Sequence, residues 1–321
     1  MSRSEKDPIV SRVFRLRNGI VAGLAVLGMG LTAVHTVAQE VVDSAQDEEM
    51  MAQGEAVTDA AEAHVTHFPI KKPPLLDWSF AGVFGKYDRA QLQRGLHVYR
   101  EVCANCHGLK FVTFRTLGDP DGLGYSEAEV AALAAEYEIE DGPNDEGDMF
   151  KRSGRPSDHF PDPFPNAQAA AVANGGAAPP DLSLMAKARG ASRGPVWTVI
   201  DFFTQYQEAG PNYIHALLTG YDQEPPHGLE IPEGVNYNPY FLNGSALAMP
   251  PPLTDGAVPY TDGSPETVDQ YATDVSAFLM WTAEPHLVAR KRLGFQVMVF
   301  LAVFATLMYL TKRRVWASVA H

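Results

Sequence analysis

The stretch 101-EVCANCHGL-109 holds Cys103 and Cys106, the only two cysteines in the 321-residue sequence, with His107 directly after the second. A structural zinc site would want four thiolate or imidazole ligands. Here three candidate ligands cluster, and Cys106 and His107, adjacent in the chain, are awkward joint ligands of one ion. A redox-active dithiol of the C-x-x-C kind belongs after a strand in a βαβ context. The segment before this one is patterned as a helix instead. The third reading is C-x-x-C-H as a covalent haem-attachment motif, in which each thiol adds to one vinyl group and the following imidazole binds iron. That reading needs two cysteines and no others, and it predicts one covalently attached haem c.

Outward from the motif, Asp88 is placed to cap a helix running through 89-RAQLQRGLHVYREVCANC-106. Leu92, Leu96, Tyr99, Val102 and Cys103 recur at steps of three and four on its apolar face. Residues 126–140 are patterned as a second helix with an acidic outer face. Residues 141–181, rich in Gly, Pro, Asp and Asn, read as irregular loop, and 181–190 and 211–221 as short helices. A further helix is expected after Pro265, with Val268, Tyr271, Val275, Phe278 and Leu279 as its apolar stripe and Pro285 at its end. Strand signals are sparse. The expected fold is mostly α, a c-type cytochrome core around one haem with long irregular loops.

The two ends differ from the middle. Arg12, Arg15 and Arg17 precede an apolar run from Gly19 to Val34, and small residues follow at Thr36 and Ala38. This is the order of a secretory signal, so residues 1–38 are expected to be a signal peptide, cut after Ala38. Residues 39–67 read as an acidic flexible leader, with eight acidic and no basic residues in 39–63. Leu293–Leu310 carries no charge. At about 1.5 Å per residue it spans about 27 Å, close to the apolar thickness of a bilayer. Residues 290–312 are therefore expected to form one transmembrane anchor, 68–289 a periplasmic haem domain and 313–321 a cytoplasmic tail. Basic groups flank both sides of the span, and the export signal decides the orientation, in the inner membrane.

The whole chain has 39 acidic against 25 basic side chains, and residues 39–284 alone have 37 against 14. Phosphate contacts need basic patches, so nucleic acid is excluded as the default partner. A cationic protein partner fits better. Glu136, Glu138, Glu140, Asp141, Asp145, Glu146 and Asp148 crowd one stretch. Asp222, Glu224, Glu230 and Glu233 form a second group.

An electron carrier fills both axial iron positions, and a thioether raises the potential. Met149, Met185, Met249 and Met280 are candidates for the sixth position. Met185 and Met280 sit in helical patterns where packing accounts for them, and Met149 in an acidic loop. Met249 is followed by Pro250, Pro251 and Pro252, which stiffen its loop, and is favoured.

Several segments together resemble the cytochrome c1 family, the haem subunit of the bacterial quinol–cytochrome c oxidoreductase (bc1) complex. They are 91-QLQRGLHVYREVCANCHGL-109, 140-EDGPNDEGDMFKRSGRPSDHFPDPFPN-166, 173-ANGGAAPPDLSLMAKAR-189, 213-YIHALLTGY-221, 236-NYNPYFLNGSALAMPPPL-253, 278-FLMWTAEP-285 and the closing RKRLG with its apolar run. The resemblance covers roughly residues 68–315. It implies thioether links at Cys103 and Cys106, axial bonds from His107 and Met249, and a haem-propionate partner in Arg189. Asn174, Pro180 and Tyr221 would line the pocket. It implies cytochrome b and Rieske iron–sulfur subunits as partners and a soluble basic cytochrome c as electron acceptor. A stand-alone membrane-anchored monohaem shuttle and an open-site haem sensor are the rival readings. Two departures stand out: 190–212 is longer than in compact members, and the extra cysteine pair of some bacterial members is missing.

Overall fold

The computed structural model describes residues 70–191 and 193–318. The signal and leader expectations for 1–38 and 39–67 lie outside the described residues. Among the described residues there are eight α-helices and two short two-stranded sheets, in the order α1 Arg89–Glu101, α2 Glu127–Ala135, β1 Glu138–Asp141, β2 Phe150–Ser153, α3 Ala167–Ala173, α4 Met185–Ala188, α5 Pro195–Thr204, α6 Ala209–Thr219, β3 Asn236–Tyr237, β4 Ala246–Leu247, α7 Val268–Ala283 and α8 Leu287–Val315. The mostly helical fold and the single long apolar C-terminal helix agree with the sequence reading.

Helix α1 is capped as expected: the Asp88 side chain accepts from the Gln91 N–H. It ends at Glu101 rather than running through the cysteines, and Cys103–Asn105 form a 3-10 turn. Its buried face, Leu92, Leu96 and Tyr99, lies against α7. Gly95 allows that crossing, because a Cβ there would meet the Asp274 carbonyl oxygen at 2.2 Å and the Phe278 Cβ at 2.6 Å. Arg94 and Asp274 lock the same crossing. The buried Asp274 carboxylate accepts four bonds, from Arg94 Nε at 2.9 Å and Nη2 at 3.1 Å, the Tyr260 hydroxyl at 2.9 Å and Gln270 Nε2 at 3.0 Å. Every acceptor position on this buried charge is thus used, which a buried charge requires.

Helix α7 starts later than the Pro265 pattern suggests. Thr267 is its N-cap, accepting from Gln270 N–H, so Pro265 and Glu266 precede it; a free hydroxyl outcompetes a proline as the initiating residue when it can take up an orphan N–H. The 126–140 helix is also corrected. Ser126 and Glu129 form a capping box, but the helix stops at Ala135 and 138–141 pairs with 150–153, Glu138 opposite Ser153 and Asp141 opposite Phe150. Arg152 selects the strand. It reaches Asp141 across the pair and holds Asp158 by two bonds, one at 3.0 Å, contacts that local propensity does not contain. The same non-local pairing puts β2 inside the expected 141–181 loop, and Asn166 caps the short α3 there.

Helix α8 is one continuous 29-residue element. Its first turns belong to the core of the preceding domain: Leu287, Val288 and Lys291 are buried, and Lys291 Nζ donates to the Phe80 carbonyl at 2.6 Å. Arg290 pairs with Glu284. From Arg292 onward the described helix is exposed throughout, and its apolar window is long enough to cross a membrane. A chain ended after Arg292 is therefore expected to keep the core, while one ended after Pro285 loses the burial of Leu287 and Val288, about 1.5–3 kcal/mol for each. Thermal denaturation of the two truncated proteins checks this: the shorter one should melt lower, and equal melting temperatures would contradict the boundary.

Candidate functional site

Past α1 the chain turns tightly. The Cys103 carbonyl accepts from the Cys106 N–H at 3.1 Å and the His107 N–H at 2.9 Å, which holds both thiols and the imidazole within one turn. Tyr99, on the buried face of α1, donates its hydroxyl to the His107 carbonyl at 2.9 Å. Residues 180–183 then run alongside 107–111. Leu182 N–H donates to the Gly108 carbonyl at 2.9 Å, Lys110 N–H to Asp181 Oδ2 at 2.9 Å and Phe111 N–H to Ser183 Oγ at 3.1 Å. Asp181 Oδ1 also accepts from Ser183 N–H at 3.0 Å.

This clip brings the Pro180 carbonyl to 2.7 Å from His107 Nδ1. A carbonyl can only accept, so Nδ1 carries the proton and the lone pair is on Nε2. Burial pushes the imidazole pKa down, with the Pro180 bond and Asp181 opposing, which favours the neutral ring that binds metals. Burial pushes the Cys103 thiol up to about 12. A redox-active dithiol needs the opposite shift. Among the described residues no group of three His, Cys, Asp or Glu side chains is arranged to hold a metal ion. The donor set therefore suits a haem: two free thiols, an oriented imidazole, and the apolar side chains of Phe111 and Leu184 exposed beside the clip.

Met249 belongs to a second cluster. It follows the β3–β4 pair, Asn236 opposite Leu247. Its carbonyl accepts from the Tyr221 hydroxyl at 3.1 Å and from Asn236 Nδ2 at 3.3 Å. The backbone is thus pinned on one side by these donors and on the other by three prolines. The remaining methionines separate by burial: Met280 is in the core, Met185 packs against it, and Met149 is exposed in the turn between β1 and β2.

The expected site residues divide accordingly. Cys103, Cys106, His107 and Pro180 come together, and Met249 and Tyr221 come together. Arg189 ends α4, exposed, with Nη1 3.4 Å from Asn243 Oδ1, on the loop that leads to Met249. Asn174 instead caps α3, donating to the Ala170 carbonyl at 2.7 Å. The two clusters are joined through packing: the clip leads into α4, α4 packs on α6, and α6 leads into the turn that carries Tyr221. Sequence reasoning missed Asp181 and Asn236. Both lie in the quoted family segments, but their roles depend on partners 71 and 13 residues away. A cleft of about 400 Å³ lies elsewhere, beside α4 and α5. It shares only Arg189 with the expected site, and donor chemistry outranks its size as a guide.

The Cytochrome C1 family matches residues 78–319. The chain belongs to the cytochrome c1 family. It is 64% identical over 247 residues to the cytochrome b/c1 of Bradyrhizobium diazoefficiens, covering 77% of this chain and 36% of that protein. It is 45% identical over 281 residues to the cytochrome c1 of Rhodospirillum rubrum, 83% of this chain and 94% of that one. With the cytochrome c1 of Blastochloris viridis the identity is 47% over 248 residues, 77% and 87%. The chain spans about a third of the first relative's length and most of the other two. As a family member it carries a covalently bound haem c and transfers electrons.

Asp181 carries two backbone N–H groups beside the motif. In Asp181→Ala they lose their acceptor, at about 1–3 kcal/mol for a buried donor and less where water reaches it. The melting temperature of the detergent-solubilised haem protein should fall. An unchanged value would show that the clip is held by its other bonds.

Proposed function

We propose that this chain is the haem-bearing subunit of a bc1-type quinol–cytochrome c oxidoreductase, taking electrons from a Rieske iron–sulfur subunit and passing them to a soluble basic cytochrome c. In this reading Cys103 and Cys106 form the thioether links, His107 Nε2 is one axial ligand and the Met249 thioether the other. The observation that carries it is the fixed His107 tautomer beside two free thiols. Bound haem supplies a one-electron iron couple, which a thioether ligand tunes upward. Pro180 orients the imidazole through its carbonyl. Tyr221 and Asn236 hold the Met249 backbone, so the sulfur loses little freedom on binding. Arg189, exposed and near the Met249 loop, is the partner for a propionate. Asn174 fixes the end of α3.

The relative named cytochrome b/c1 supports a cytochrome b partner, since two thirds of its length lies beyond the part matched here. Helix α8 supports a single membrane anchor, and the export signal read in residues 1–38 supports a haem domain in the periplasm and a tail in the cytoplasm. Copurification of a b-type haem and an iron–sulfur centre with the tagged chain tests the assembly. A chain that purifies alone and still shuttles electrons would overturn it in favour of a free carrier.

The acidic surface divides on inspection. In the 136–148 stretch, Glu136 pairs with Arg100, Glu138 with Lys151 and Asp141 with Arg152, which leaves Glu140, Asp145, Glu146 and Asp148 exposed on a hairpin away from the Met249 carbonyl's partners. Asp222, Glu224, Glu230 and Glu233 are exposed and have no ion pair among the described residues. They lie on the segment whose ends, Tyr221 and Asn236, bond the Met249 carbonyl. This second group is the better docking field for a cationic partner at the methionine side of the haem.

Met249→Leu should leave the haem attached and vacate the sixth position. Axial ligands set haem potentials over about 0.8 V, so a fall on the order of 0.1 V is expected, together with carbon monoxide binding to the reduced protein. An unchanged potential and spectrum would sink the ligand assignment. Neutralising Asp222, Glu224, Glu230 and Glu233 together should slow association with the soluble cytochrome about tenfold at low salt. The effect should fade as screening shortens to about 8 Å at physiological salt. Stopped-flow reduction at several ionic strengths checks it, and coincident rates at low salt would move the docking field elsewhere.

A further inference from the structure

Helix α5, 195-PVWTVIDFFT-204, fills much of the segment 190–212. Every residue from Pro195 to Ile200 is exposed. Val196, Val199 and Ile200, at spacing i, i+3, i+4, form an apolar stripe with 70%, 61% and 39% of their surfaces open. The helix has one charged residue, Asp201, and it is turned inward to Arg193 Nη1 at 2.8 Å. The Arg193 guanidinium is also stacked over the rings of Trp197 and Tyr206, 4.3 Å from each centroid. The hydroxyls of Thr198 and Thr204 donate to the helix's own carbonyls. The stripe thus presents no charge or hydroxyl that needs water.

What lies next to it is the membrane boundary of the chain. The residue after α5, Gln205, accepts from Arg290 Nη1 at 3.3 Å. Gln207 two residues later accepts from Lys187, which also bonds Glu284. Burial opposes the charge on Glu284, but the bonds from Lys187 and Arg290 hold its carboxyl below the usual range. This ionic knot fastens the end of α5 three residues before Leu293, where the apolar run begins. A second exposed apolar segment meets the same level: Phe84, 72% open, touches Phe295 edge-on with centroids 5.4 Å apart.

We propose that α5 is an interfacial helix, lying in the headgroup layer of the bilayer that α8 enters, with Val196, Val199 and Ile200 toward the acyl chains and the Asp201–Arg193 pair toward the domain. Its ten residues are about 15 Å long, and its apolar stripe is separate from the side on which Asp201 pairs with Arg193, the two-faced pattern of a membrane-surface helix. The haem domain then rests on the membrane at two points besides its anchor, α5 and Phe84, which limits its tilt about the base of α8. The inference rests on α8 as the anchor.

The test uses the full chain with its copurifying subunits in phosphatidylcholine nanodiscs doped with a phospholipid bearing a diazirine near the top of its acyl chain. After irradiation and digestion, mass spectrometry should find lipid adducts on 194–206 and 80–86 as well as on 293–311, and at least tenfold fewer on 222–236. Val199→Asp should cut the α5 adducts several-fold with the haem spectrum and α8 labelling unchanged. Labelling of α8 with α5 no higher than 222–236 would overturn the proposal, whether the stripe then faces water or a protein subunit. Absence of label from both helices would overturn the anchor reading along with it.

Discussion

The bond from His107 Nδ1 to the Pro180 carbonyl, at 2.7 Å, is the contact on which the site depends. A histidine next in sequence to a cysteine has no orientation of its own. It acquires one because 180–183 is laid along 107–111 by three further bonds, two of them from backbone N–H groups to side chains of Asp181 and Ser183. The same clip delivers the chain into α4, and through α4 to α6 and the methionine loop. One set of hydrogen bonds thus fixes the tautomer of His107 and the path to the Met249 loop, in the way that outer partners set the geometry of metal ligands.

Around this clip the domain concentrates its buried charge at structural crossings and leaves its free charge at the surface. Asp274 is fully buried and fully bonded where α1 meets α7. Three of the seven acids of 136–148 are paired, with Arg100, Lys151 and Arg152. The acids of 222–233 are not. Net acidity therefore does not locate a docking surface by itself, since a paired carboxylate contributes little field at a distance.

The boundary between domain and membrane is a shared one. Helix α8 begins as core, with Leu287, Val288 and Lys291 buried, and becomes membrane-facing within about two turns. Arg290, Lys291 and Arg292 each bond the domain, to Glu284, Phe80 and Asp121. These residues look in the sequence like the basic flank of a span, and in the fold they are what couples the span to the haem domain.

The sequence by itself determined the cofactor, the anchor and the helical class, because each rests on local or periodic chemistry: C-x-x-C-H, an 18-residue uncharged run, and apolar steps of three and four around Leu92 and Tyr271. The stiffness of the Met249 loop was legible for the same reason, through the prolines beside it, although the donors to its carbonyl were not. Only the tertiary structure decided that Asp141 pairs with Arg152 in a hairpin, that Asn174 turns back on its own helix, and that Asp181 and Asn236 hold the site. Asn174 apart, whose partner is four residues away, those outcomes depend on groups brought together across 11 to 71 residues. A period or a propensity describes one segment's preference, whereas a hydrogen bond between distant segments exists only once the core has set their separation.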